Sequence, residues 1–167
     1  VCIRSEEDLK FAQAAADEAA ERGLKLAHQC HADSLFETVD EIEANLRKIG
    51  RDNFGLIFEA GNLDECGQPY GPPVIQRLAP WIFNVYVQNQ RCNPEGAVTL
   101  TTRCRGPVSL DILPVQQPGG IDFAAVFEGL QNIGYDGVIT VHQSAPADGS
   151  SSATAAQDAA RFLRTLW

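Results

Sequence analysis

GGIDFAAVFEGLQNIGYDGVITVH, residues 119–142, contains the unit from which the rest of the chain is built. Asp122 stands where a side-chain oxygen caps a helix start. Phe123, Val126, Phe127, Leu130 and Ile133 then recur at spacings of three and four, the buried stripe of one helix. Gly134 ends that helix, and Val138 to Val141 follows as a short apolar strand that delivers His142 at its end.

The same rhythm extends in both directions. Ser5-Glu6-Glu7-Asp8 reads as a capping box ahead of a helix with Leu9, Ala12, Ala16 and Ala19 on one face, and Gly23 as its terminator. Leu24 to Cys30 reads as the first strand. Ser34-x-x-Glu37 is a second capping signature, before Val39, Ile42, Leu46 and Ile49, and Gly50 closes that helix. Asn53 to Glu59 is a nearly continuous apolar run, as expected of a strand covered on both faces. Gly67 to Pro73 leads into a short helix over Val74 to Leu78, and Trp81 to Gln88 reads as the third strand. The connection from about 89 to 120 breaks the rhythm. Within it Val98–Thr102 and Val108–Ile112 flank Gly106-Pro107 as a β-hairpin. After the fourth strand, a run of small and polar residues from Ala145 to Ser152 reads as a mobile loop, and Ala153 to Trp167 as a final helix.

Four strands, each followed by a helix, predict an α/β fold with parallel pairing. That pattern fits a doubly wound sheet or half of a (β/α)8 barrel. A whole barrel takes eight such units and about 250 residues. The 167 residues here accommodate about four units in one domain, residues 1–167.

The formal charge of −9 disfavours a phosphate backbone as partner. Arg91, Arg103 and Arg105 share one loop and read as a solvated rim. No apolar run is long enough to span a membrane. Five cysteines with no CxxC pair read as free thiols in a reducing cytoplasm, with Cys92 and Cys104 the pair placed to join if the protein were exported. The chain starts at Val1 and has no methionine, which suggests a longer natural protein. The other expectation is a homo-oligomer, since two unpaired sheet edges invite a second copy to close a barrel.

In either architecture the working face lies at the C-terminal strand ends. There the sequence places His28-Gln29-Cys30-His31, Glu59-Ala60-Gly61-Asn62, Asn84, Tyr86 and Gln88 with Arg91 beyond, and His142-Gln143-Ser144. All three histidines fall at these ends, beside Glu59. Imidazole and carboxylate are the usual acid/base groups and transition-metal ligands. Alternation puts Gln29 and His31 on one strand face and His28 and Cys30 on the other.

LKLAHQCHADSLFET (24–38), NFGLIFEAGNL (53–63), IFNVYVQNQR (82–91) and the 119–142 segment, in this order and spacing, resemble the last four βα units of the xylose-isomerase-like TIM barrel superfamily. The resemblance implies a sugar or polyol isomerase/epimerase of a small carbohydrate, moving a proton beside a carbonyl. It also implies one divalent metal (Mn, Co, Zn or Mg) held by Glu, Asp, His and Glu. Those positions fall on Gln29, Glu59, Tyr86 and His142, with Asn84 in place of a further family histidine, so most of the ligand set is altered. Glu59 and His142 are the expected proton-transfer groups, and His31, Glu59 and His142 the residual metal set. Gln29, His31, Asn62, Tyr86 and Arg91 are the expected substrate contacts. The alternative is a catalytically degenerate sugar-binding or regulatory barrel without metal. A nucleotide-binding domain is disfavoured, because no GxGxxG or GxxxxGK[ST] follows a strand. The DNA-cleaving branch of the superfamily is disfavoured by charge and by the missing histidines.

Overall fold

The computed structural model describes residues 2–143 and 151–167. The run from 145 to 152 that the sequence marks as a loop, and Ser144, fall largely outside them. Helix α1 (Glu6–Ala20) starts on the expected box, with Ser5 Oγ accepting from the Asp8 amide and Asp8 accepting from the Ser5 amide. Strand β1 is Leu26–Gln29. Helix α2 (Val39–Ile49) is capped by Thr38, whose Oγ1 accepts from the Glu41 amide at 3.2 Å. Ser34 and Glu37 do not form the expected capping box. Ser34 Oγ instead donates to His31 O and accepts from the Phe36 amide, so the chain turns before the helix begins. Gly50 ends α2 at φ 59°, a left-handed position that a Cβ disfavours.

Strand β2 (Phe54–Glu59) runs directly into α3 (Ala60–Glu65), a helix the sequence reading leaves as loop. Six residues containing Gly61 are too short to show a helical period. Then come α4 (Pro72–Leu78), a 3₁₀ turn at Ala79–Trp81, and β3 (Ile82–Val87). The 89–120 connection holds the hairpin, β5 (Val98–Thr102) and β6 (Gly106–Leu113), and one strand more, β4 (Asn89–Cys92). These form an antiparallel sheet in the order β4-β6-β5. Helix α5 (Phe123–Asn132), strand β7 (Val138–Val141) and helix α6 (Ser152–Arg164) complete the described elements.

The main sheet is parallel throughout, in the order β1-β2-β3-β7. Its register sets Gln29 beside Ile57, Ile57 beside Asn84, Glu59 beside Tyr86, and Tyr86 beside Thr140. One face carries the apolar residues Leu56, Phe58, Val85 and Val87, buried under Phe36, Ile42, Ile75, Leu78, Phe127 and Leu130 from the helical layer and its loops. Helix α5 approaches α4 so closely that a Cβ at Gly129 would lie 2.7 Å from Ile75 Cδ1. The other face, which carries Gln29, Glu59, Tyr86 and Thr140, is the interior side of a barrel of this handed repeat. It is partly open here, and Val138 on the β7 edge is 67% exposed.

Candidate active site at the strand ends

Glu59 is the last residue of β2 and only 1% exposed, yet both carboxylate oxygens are engaged. Oε2 accepts from Gln29 Nε2 and, at 3.0 Å, from Asn62 Nδ2. Asn62 reaches it because α3 begins at once and brings the residue three positions on back to the same side. Its Nδ2 also donates to Cys30 O at 2.7 Å, which ties the ends of β1 and β2 together. Oε1 lies 3.2 Å from His142 Nδ1.

Burial pushes the Glu59 carboxyl above the usual carboxylate range. The charge and hydrogen bond of His142, the Gln29 bond and the charge of His31 each pull it back, without cancelling the burial. His142 is differently placed: its side chain is 50% exposed. Its backbone N–H donates to Val87 O at 2.9 Å, continuing the β3–β7 ladder, and its ring lies 4.9 Å from the Tyr86 ring at 45°. A carboxylate facing Nδ1 selects the tautomer that carries its proton there, so Nε2 is left as the free acceptor. The arrangement is a buried carboxylate behind a solvent-facing imidazole.

The remaining expected residues separate into two groups. Gln29, Asn62 and Tyr86 belong to this cluster. His31 does not bond to it: its Nδ1 sits 2.7 Å from Ala32 O, although its charge acts on Glu59. Arg91 lies on β4 with its guanidinium 3.0 Å from Asp111 Oδ2 on β6, at the rim of the small sheet. His28 is structural. It faces the helical layer, accepts the Ile3 amide at 3.0 Å and packs on Phe36, and burial brings it down to about 4.

Beneath the cluster lies a group the sequence reading missed. Glu65, at the end of α3 and 2% exposed, accepts at 3.0 Å from Gln90 Nε2, which also donates to Gly61 O at 2.9 Å. Gln88 Nε2 donates to Gln90 Oε1 at 2.7 Å. Burial, assisted by the charge of Glu59 and opposed by the Gln90 bond, pushes Glu65 up to about 7. Finding it requires knowing that α3 exists.

The model of the xylose isomerase-like TIM barrel family matches residues 9–166. The chain belongs to that family. It is 31% identical over 134 residues to the rhizopine catabolism protein MocC of Rhizobium meliloti, a match covering 75% of this chain and 38% of that protein. Among solved structures, it superposes with a TM-score of 0.73 on an IOLI protein with a bound zinc atom, at 20% identity over 95% of this chain and 54% of that one. It superposes with a TM-score of 0.71 on a D-allulose 3-epimerase from Methylomonas sp., at 18% identity over 99% of this chain and 58% of that one. The chain thus spans little more than half of these structures and less of the curated relative. No described helix is long and apolar enough to cross a membrane.

The family resemblance implies a divalent cation among these strand ends, and the side chains present do not fit one. Hard cations take several anionic or carbonyl oxygens. Glu59 is the one carboxylate of the cluster, and Gln29 and Asn62 turn their amide nitrogens, not their oxygens, towards it. A softer ion would need His31, Glu59 and His142 to converge. Among the described residues, the three-ligand group whose ligand atoms all lie within 4.8 Å of one another is elsewhere, at Glu37, Cys66 and Cys104.

Proposed function

We propose that this chain supplies the acid/base half of a sugar or polyol isomerase/epimerase-like site, in which His142 and Glu59 together move a proton beside a substrate carbonyl. The observation that carries this reading is the contact between the exposed His142 imidazole and the buried Glu59 carboxylate. His142 Nε2 takes the proton from carbon, and the electron pair of the broken C–H bond moves into an enediolate. The imidazolium formed is held by Glu59, and its return of the proton to a carbon completes the cycle. Gln29 and Asn62 fix the carboxylate, and the Tyr86 hydroxyl is the donor for a substrate oxygen. A relative named for catabolism and a fold neighbour that is a sugar epimerase support a small carbohydrate substrate. Net charge disfavours nucleic acid, and the odd set of free cysteines supports a cytoplasmic setting.

The test is incorporation of solvent deuterium into a panel of small ketoses, aldoses and oxidised cyclic polyols. Incorporation that vanishes in His142→Asn supports the assignment, and unchanged incorporation overturns it. A second reading, a sugar-binding barrel without turnover, is favoured by one observation: a neutral amide, Gln29, stands against Glu59 where the family carries an acid. Saturable sugar binding with no deuterium incorporation would select it.

A further inference from the structure

A second constellation lies outside the strand-end cluster, where three separate segments meet. Glu37 ends the loop that follows β1, Cys66 caps the C-terminus of α3, and Cys104 sits in the turn between β5 and β6. The two sulfurs and a Glu37 oxygen all lie within 4.8 Å of one another. Cys66 is 2% exposed, whereas Cys104 opens to solvent. From the sequence, Cys92 is the residue placed to join Cys104 if the protein were exported. The structure instead sets Cys104 Sγ 3.7 Å from Cys66 O and Cys92 Sγ 3.8 Å from Asp64 Oδ2.

Glu37 is held as an anion by backbone amides rather than by a basic side chain. Burial works against ionisation of Glu37. Amide donors from Arg103 at 2.7 Å and Cys104 at 2.8 Å, and a third from Asp33, outweigh it and hold the carboxyl below its ordinary value. Glu37 has no ion-pair partner among the described residues; Arg103 turns its guanidinium to Ser34 O and Glu41. Both thiols are pushed up, first by burial, with the Glu37 charge adding to it. Two sulfurs and a carboxylate oxygen within 4.8 Å of one another are the donor types and the spacing that a soft divalent cation takes.

We propose that Glu37, Cys66 and Cys104 bind one thiophilic divalent cation of the zinc class, fastening the turn of the small sheet to α3 and to the loop after β1. Binding replaces two S–H bonds with two metal–sulfur bonds, releases two protons, and leaves a net charge of −1 on the group. Metal–sulfur bonds of about 2.3 Å and metal–oxygen bonds of about 2.0 Å hold tetrahedral ligand atoms roughly 3.5–3.8 Å apart, within reach of small side-chain rotations here. A water completes the fourth position on the exposed Cys104 side. The cation is structural: the ligands come from segments 29 and 38 residues apart (37 to 66, 66 to 104), and ligand convergence of this kind links metal affinity to folding.

The experiment is a cobalt titration of the full chain, reduced and stripped with a chelator, read by thiolate-to-cobalt charge-transfer absorption and reversed by zinc. One equivalent should bind, Tm should rise, and zinc should slow alkylation of Cys104 by about tenfold or more. Cys66→Ser and Cys104→Ser should each lose the band, and Glu37→Gln should weaken cobalt on the order of tenfold or more. Glu59→Gln and His142→Asn should leave it unchanged, which separates this site from the strand-end cluster. Circular dichroism of each serine variant verifies folding. Absence of a thiolate band in the wild-type chain overturns the proposal. So does its survival in Cys66→Ser, or a Cys66–Cys104 disulfide in a reduced and reoxidised chain that takes up no cobalt.

Discussion

Glu59 and His142, 83 residues apart in sequence, meet at 3.2 Å with opposite access to water: 2% of the glutamate side chain is exposed and 50% of the imidazole. In the proposed reaction that asymmetry divides the work between them: the imidazole covers the carboxylate, which would act on a substrate through His142.

Replacing His142 with Asn should lower kcat by about a hundredfold to ten-thousandfold, the range for loss of a general acid/base. KM should change little, because Tyr86, the proposed donor to a substrate oxygen, remains. The same variant removes the strongest influence holding the Glu59 carboxyl down, so that carboxyl should titrate higher than in the wild type. Carbon-detected NMR titration reads this directly. A Glu59 titration that does not move would show that the two groups are uncoupled.

Glu65 gives a pH dependence of stability. Its carboxyl is raised from 4.5 unfolded to about 7 folded, chiefly by burial. The folded state therefore favours the protonated acid, and the resulting stability is fully present below the unfolded value and lost as pH rises through about 7. The loss amounts to roughly 3 kcal/mol between those limits. Glu65→Gln keeps an acceptor for Gln90 and removes the ionisation. Urea midpoints measured from pH 4 to 8 should fall for the wild type and stay flatter in the variant; parallel curves would refute the account.

Much of this arrangement is readable from local patterns. The strand–helix alternation, the Ser5 and Asp122 caps and the left-handed Gly50 follow from spacing and from chemistry that acts within a few residues. So does the placing of Gln29, Glu59, Tyr86 and His142 at strand ends. What escapes depends on long-range meetings. Ser34-x-x-Glu37 has the form of a capping box, but Glu37 is recruited by amides of Arg103 and Cys104, more than sixty residues away. α3 and β4 are too short for periodicity to reveal. The partner of Cys104 depends on where the hairpin turn lands, which its own sequence does not encode.

Expressed as these 167 residues, the chain should self-associate. In the described sheet β1 and β7 have no partner on their outer sides, and Val138 exposes 67% of its surface at the β7 edge. Unpaired, apolar strand edges template further pairing. Sedimentation velocity should show mass rising with concentration, and Val138→Lys should shift the distribution towards monomer. A monomer at all concentrations would overturn the prediction that these edges pair with a second copy.

Asn89 is fully buried where the small sheet leaves β3. Its Nδ2 donates to Pro114 O and Gln117 O, both at 2.8 Å, and its Oδ1 accepts the Ile121 amide at 3.0 Å. One side chain thus satisfies the backbone that returns from the small sheet to α5. Gly120 packs so tightly there that a Cβ would sit 2.0 Å from Asn89 Oδ1. Asn89→Ala leaves these buried groups unpaired, at about 1–3 kcal/mol each for those that water cannot reach, and should cost about 3 kcal/mol in all. Asn89→Asp tests the donor role. Its ionised carboxylate faces carbonyl oxygens it can only repel, so its destabilisation should grow as pH rises above the carboxyl's titration and shrink when the acid regains a proton to donate. Equal stability of the Asp variant at acid and neutral pH would show that the Nδ2 bonds do not hold this connection in place.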